Sequence, residues 1–185
     1  FAGIFGIFDM SISSSFIKFI SEHYNKQEFK ELNSVINTGI IFYTIFSLIC
    51  CTIGIVFMEK FLSMLNINEN FRHTANIAYV ISLIAFFITN SFGIFNSILV
   101  SLQKMYLTSI LGMLLSLINF ILVLTLLLNG YGLNELLYLH IIVISISILI
   151  SFIAAKKALP QMKLNPFRFH FPSLKKMSNF GIQMQ

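Results

Sequence analysis

Asp9 is the one Asp, Glu, Lys or Arg that stands well inside an apolar run of this 185-residue chain. A carboxylate at membrane depth costs ~2.5–3.5 kcal/mol on insertion scales, so it faces protein or water rather than lipid. Lys18 is no helical partner for it, because it falls on the opposite face and ~13 Å further along the axis. Asp9 is therefore expected to bond to Ser13, to another helix or to water. Two roles follow for it, a structural hydrogen bond or a protonation or ion-binding step. His140, near the outer end of another run, carries the same pair of readings: an interhelical or snorkelling histidine, or a proton relay.

Around these groups, small and polar residues recur at helical spacing. Ala2, Gly6, Asp9 and Ser13 share one face, and Asn37, Thr44, Ser47, Cys51 and Gly54 share another. Further along come Ser82, Phe86, Asn90, Gly93, Ser97 and Ser101, then Ser109, Gly112, Ser116 and Asn119, then His140, Ser147, Ser151 and Ala154. A step of ~100° per residue keeps each set within about a third of the helix circumference. Such stripes let helices approach closely and hydrogen-bond to one another, or they wall a water-accessible cavity. The candidate cavity residues are Asp9, Ser13, Asn90, Ser97, Ser116 and Asn119, with Lys18 and Lys104 as cations at the inner mouth.

The elements that position these residues are long apolar segments, at about 1–17, 35–58, 76–100, 106–128 and 136–155, with a sixth beginning near Leu174. No Asp, Glu, Lys or Arg lies between Val35 and Met58, Thr74 and Gln103, or Met105 and Asn134. About 20 apolar residues cross the ~30 Å of hydrocarbon in a bilayer. With 57% of residues hydrophobic and 10% charged, the chain is too apolar for a soluble surface. The expected fold is an all-α, polytopic transmembrane helix bundle.

The net charge of +5 sits in the loops rather than in a nucleic-acid-binding patch. If the spans alternate, Lys18, Lys26, Lys30, Lys104, Lys156, Lys157, Lys163, Arg168, Lys175 and Lys176 lie on one side, and of the 12 Lys and Arg only Lys60 and Arg72 lie on the other. The positive-inside rule makes the first set cytoplasmic, placing loops 18–33, 101–106 and 156–173 there, where they also meet anionic membrane lipids. Residues 18–33 read as a solvated helical extension with Glu22 and Lys26 at i,i+4. Residues 156–173 carry Pro160, Pro166 and Pro172, which break any continuous helix. Tyr24, Tyr43, Tyr79, Tyr106, Tyr131 and Tyr138 are expected in the interfacial aromatic belt. Cys50 and Cys51 are neighbours, unsuited to an ordinary disulfide, and no ligand cluster for a metal accompanies them. No cofactor is expected. The chain starts inside an apolar stretch without Met and ends inside a new one, so it reads as part of a longer protein.

Several segments resemble bacterial polysaccharide transporters. Gly6-Ile7-Phe8-Asp9-Met10-Ser11-Ile12 with Phe16-Ile17-Lys18-Phe19-Ile20-Ser21 is similar to a second-helix pattern in which an aspartate sits beside a small residue and a cation closes the helix. Here Ser11 replaces the usual glycine and Lys18 the commoner arginine, which keeps the charge without the bidentate fork. Leu102-Gln103-Lys104, Ile118-Asn119-Phe120 and Gly130-Tyr131-Gly132-Leu133 resemble the region of helices four to six. Leu174-Lys175-Lys176-Met177-Ser178-Asn179-Phe180-Gly181 resembles the start of helix seven. The family is that of the O-antigen and capsule flippases (Wzx-type) of the multidrug/oligosaccharidyl-lipid/polysaccharide exporter superfamily. The resemblance implies two six-helix lobes around a central cavity, with residues 1–155 in the first lobe, 156–173 as a cytoplasmic linker and 174–185 opening the second. It implies an isoprenoid-pyrophosphate-linked oligosaccharide as substrate, with a proton or sodium ion as coupling ion, in the bacterial cytoplasmic membrane. A drug/cation antiporter of the same architecture would place more acidic residues in its spans. A membrane-bound sugar polymerase or acyltransferase would need grouped acid–base or nucleophilic side chains that these short loops do not offer.

Overall fold

The computed structural model describes residues 2–65, 67 and 69–165, with side chains from Ser13 onward except those of Glu69 and Asn70. Within them run α1 (Ala2–Asn25), α2 (Phe29–Val56), α3 (Met58–Met64), α4 (Glu69–Phe92), α5 (Ile94–Ser101), α6 (Met105–Leu128) and α7 (Leu133–Ala158). There is no strand among the described residues. In hydrocarbon every backbone N–H and C=O must be paired within its own segment, and proline-free apolar runs meet that demand as helices. The fold is an all-α, polytopic membrane helix bundle. Among the described residues four stretches are long and apolar enough to cross a membrane: α2, the Phe71–Ser101 stretch that joins α4 to α5, α6 and α7. The run expected at 1–17 falls on α1, where the side chains before Ser13 lie outside the described residues.

Two expected loops are shorter than the charge pattern implied. Residues 18–33 are mostly helix, because α1 continues to Asn25 and α2 begins at Phe29. The Lys26 ammonium donates to the Glu22 carboxylate at 2.7 Å on the exposed face, as the i,i+4 spacing requires. Between α2 and α4 the chain forms the short helix α3, whose Leu62 is buried.

Three connections use one device. Gln27 and Gln103 both have φ of 58°, and Gly130 has φ of 76°. At each, the next residue's N–H reaches back five positions, from Glu28 to the His23 carbonyl, from Lys104 to Leu99 and from Tyr131 to Leu126. The left-handed residue itself bonds three back, to Tyr24, Val100 and Leu127. This is the Schellman arrangement, which satisfies the last carbonyls of a helix and reverses the chain. At the start of α7 the Glu135 carboxylate accepts the Gly132 N–H at 2.9 Å. α7 ends at Ala158, one residue short of the Leu159-Pro160 pair, as the steric restriction before proline requires.

α2 makes its most extensive contacts with α4; α5 packs between α1 and α7, and α6 lies against α7 and α5. No residue of α6 is buried. The core gathers Phe16 and Ile20 of α1, Leu32, Val35, Ile36 and Tyr43 of α2, Ile94, Phe95, Ile98 and Leu99 of α5, and Ala155, Leu159 and Met162 at the end of α7. The α1–α2 turn, the α5–α6 turn and the chain leaving α7 are thus drawn to one end of the bundle. These are the segments that carry most of the positive charge. α1, α2 and α5 meet at Gly39, where a Cβ would collide with Ile94 Cδ1 and stand 2.5 Å from Phe16 Cε1. Replacing Gly39 by alanine is expected to destabilise the protein by about 1–3 kcal/mol, the usual penalty for overpacking, seen as a lowered thermal midpoint in detergent. Replacing Gln27 or Gln103 by glycine removes the strain of a left-handed non-glycine residue and is expected to raise the midpoint, with a gain of about 1 kcal/mol each.

Candidate functional site

The α4–α5 junction shapes the interior. The Gly93 N–H still bonds to the Thr89 carbonyl at 2.8 Å, but the next bond is the tighter Asn96 N–H to Gly93 carbonyl at 3.0 Å. A Cβ on residue 93 would sit 2.8 Å from the Thr89 carbonyl oxygen, so this break in the helix requires glycine. The break turns Asn90 and Ser97 toward α1 and α2. There a cavity of about 140 Å³ is lined by Ser13 of α1, Tyr43 of α2, Thr89 and Asn90 of α4, and Ile94 and Ser97 of α5, with Gly93 between them. The Ser13 and Ser97 hydroxyl oxygens face each other at 3.5 Å, the outer edge of hydrogen bonding. Asn90 Nδ2 donates to the Phe86 carbonyl at 2.9 Å, within its own helix. Tyr43 is 7% exposed, and its ring lies 5.7 Å from that of Phe16.

Among the described residues this lining offers hydroxyl and amide groups and neither a carboxylate nor an amine. It can hydrate a polar uncharged group. It is smaller than the ~300–1,000 Å³ of ordinary ligand pockets and cannot hold a sugar chain by itself.

Of the candidate residues, the fold brings together Ser13, Asn90 and Ser97. Asp9 lies on α1, four residues before Ser13, and its side chain is outside the described residues. Lys18 is exposed, with its ammonium 5.6 Å from the centroid of the Phe19 ring. Lys104 precedes α6 at the α5–α6 turn and is half-buried. Ser116 is exposed and Asn119 half-exposed on α6, away from the packed core. His140 is exposed on α7. Among the described residues no group of three or more His, Cys, Asp or Glu could hold a metal ion.

The α2 stripe serves packing instead. Ser47 and Ser91, both fully buried, approach at 2.9 Å, and Ser47 also donates to the Thr44 carbonyl. Cys51 Sγ reaches the Leu83 carbonyl at 3.4 Å, and the Tyr79 hydroxyl donates to the Gly54 carbonyl at 2.9 Å. Two tyrosines therefore depart from the interfacial-belt expectation. Tyr43 lines the cavity and Tyr79 ties α4 to α2, whereas Tyr24, Tyr106, Tyr131 and Tyr138 are exposed near helix ends. Tyr43 lies four residues after Gly39, on the same face of α2. At the basic end, the hydrogen bond from Lys26 holds the Glu22 carboxyl below its ordinary range and raises the Lys26 ammonium; the pair lies at the surface and is screened by solvent.

The bundle, with its long apolar helices and its polar cavity between them, is that of a multi-pass membrane protein. The MatE family model matches residues 1–125, and the chain belongs to that family. It is a membrane transporter of the multidrug/oligosaccharidyl-lipid/polysaccharide exporter superfamily. No curated protein and no solved structure matches the chain.

Ser91→Ala is expected to cost about 0.6–2 kcal/mol of stability, the range for interhelical hydrogen bonds in membranes, and to leave transport by the folded protein unchanged. Ser97→Leu, which fills the cavity, is expected to reduce transport by at least about tenfold, equivalent to roughly 1.4 kcal/mol, with little loss of folded protein. Thermal unfolding and transport assays of the two variants in parallel check the contrast.

Proposed function

We propose that the protein flips an isoprenoid-pyrophosphate-linked oligosaccharide across the bacterial cytoplasmic membrane for surface polysaccharide synthesis. The observation that carries this reading is the uncharged, hydroxyl- and amide-lined cavity of Ser13, Tyr43, Thr89, Asn90 and Ser97. Hydroxyls and amides exchange hydrogen bonds with a sugar as water does, so a hydrophilic glycan passes without a fixed counter-charge. In this reading the cavity is one wall of a larger passage completed by a second lobe. The lipid tail stays in the bilayer. Lys18 and Lys104, at the basic end, attract the pyrophosphate as point charges. Ser116 and Asn119 extend the polar wall along α6. Asp9 couples a proton or sodium ion to the change of state. Residues 1–155 form the first lobe, and loops 18–33, 101–106 and 156–173 face the cytoplasm.

Against drug/cation antiport, which would place more acidic residues within the spans, stands Asp9 as the one Asp or Glu well inside an apolar run. The test is full-length protein in proteoliposomes loaded with fluorescently labelled lipid-linked oligosaccharide. Expected are protein-dependent exposure of the sugar at the opposite leaflet and a loss of at least about tenfold in rate in Asp9→Asn. Efflux of cationic dyes without any flipping would identify the antiporter instead.

A further inference from the structure

Where the chain leaves α7 it does not trail away from the bundle. Leu159 and Met162 are fully buried, and the Lys156 ammonium donates to the Met162 carbonyl. From Gln161 to Asn165 the chain lies along α2, and two side chains, Asn33 and Asn37, bind its backbone. Asn33 Nδ2 donates to the Gln161 carbonyl at 3.0 Å, and Asn33 Oδ1 accepts the Lys163 N–H at 2.6 Å. Asn37 Nδ2 donates to the Lys163 carbonyl at 3.0 Å, and its Oδ1 accepts the Asn165 N–H at 2.8 Å.

The spacing explains why two asparagines four apart can do this. Four helical residues rise roughly 6 Å, and two residues of an extended chain advance about 6.6 Å. Each amide takes the N–H of one strap residue and gives to the C=O two residues earlier, as a neighbouring parallel strand does. The second Nδ2 hydrogen of each amide is also bound, at 2.7 Å to the Phe29 carbonyl and at 2.8 Å to the Asn33 carbonyl. With both donors and the acceptor occupied, neither amide can flip without losing bonds.

We propose that Asn33 and Asn37 form a clamp that reads the main chain of Gln161–Asn165, fixes the register and direction in which the chain leaves α7, and makes this strap one rigid body with α2. The clamp touches backbone only, so it does not depend on the exposed side chains of Gln161 and Lys163, while the two amides cannot be exchanged for other groups. Glutamine overshoots by a methylene. Aspartate turns a donor into an acceptor that faces the carbonyls of Phe29 and Gln161.

The test is hydrogen exchange of the full-length protein in lipid nanodiscs, read at single-residue resolution. The Lys163 and Asn165 amides are expected to be protected. Asn33→Asp is expected to speed exchange at Lys163 by at least about tenfold, and Asn37→Asp to do the same at Asn165. Gln161→Ala and Lys163→Ala are expected to change neither. Asn33→Leu and Asn37→Leu, which introduce no charge, are expected to repeat the pattern while exchange within α6 stays at the wild-type rate. Unchanged exchange at Lys163 and Asn165 in the asparagine variants overturns the clamp. So does a loss in Gln161→Ala or Lys163→Ala as large as in the asparagine variants. None of these readouts depends on what the transporter carries.

Discussion

The ring of Phe16 and the side chain of Ile94 occupy the space that a Cβ on residue 39 would take. The packing of α1, α2 and α5 around the core depends on this contact. Lipid tails are as apolar as leucine, so helices in a bilayer gain little from hydrophobic burial and must associate through close packing and hydrogen bonds. The missing side chain at Gly39 lets α1, α2 and α5 approach until Phe16, Ile36, Ile98 and Leu99 interlock. Ser13, three residues before Phe16, and Ser97, three after Ile94, are thereby brought to 3.5 Å. Tyr43, one turn beyond Gly39, closes the same space. The cavity is a consequence of the packing beside it.

Polar residues of one chemical type are used in three ways. On α2, Ser47 and Cys51 join Tyr79 and Ser91 of α4 in direct helix contacts. Around the Gly93 break, Asn90 and Ser97 border open space, because the turn in the helix keeps α1 and α2 from closing on them. At the basic end, Asn33 and Asn37 bind main chain from more than 120 residues away in sequence. The difference lies in what stands opposite each residue. A small residue opposite produces a contact, a helix break produces a cavity, and an extended strap produces a ladder.

Much of the fold was legible in the sequence. Runs without charge identified α2, the α4–α5 stretch, α6 and α7, since only helices satisfy the backbone in hydrocarbon. Pro160 marked the end of α7 closely. The helical extension at residues 18–33 was visible, whereas the short helix α3 and the turn at Gln27 were not, because polarity resembles a loop and a left-handed glutamine has no composition signature. The site was legible in part. Helical spacing put Asn90, Gly93 and Ser97 on one face, and they do border one cavity, with Ser13 opposite. Spacing could not say which stripe would meet another helix, so Ser47 and Ser116 looked equivalent although one is buried in a contact and the other is exposed.

By itself the sequence determined the environment and the element type, because length, apolarity and the absence of interior charge are properties of each segment alone. It also determined the grouping of the basic segments, because alternation of spans is a rule of connectivity. Tertiary structure alone decided which faces meet. It turned Tyr43 inward from its expected place at the interface, made packing contacts of the α2 stripe, and seated Gln161–Asn165 on Asn33 and Asn37. Those outcomes depend on where two distant surfaces approach within a few ångströms, and no local pattern of residue types encodes that distance.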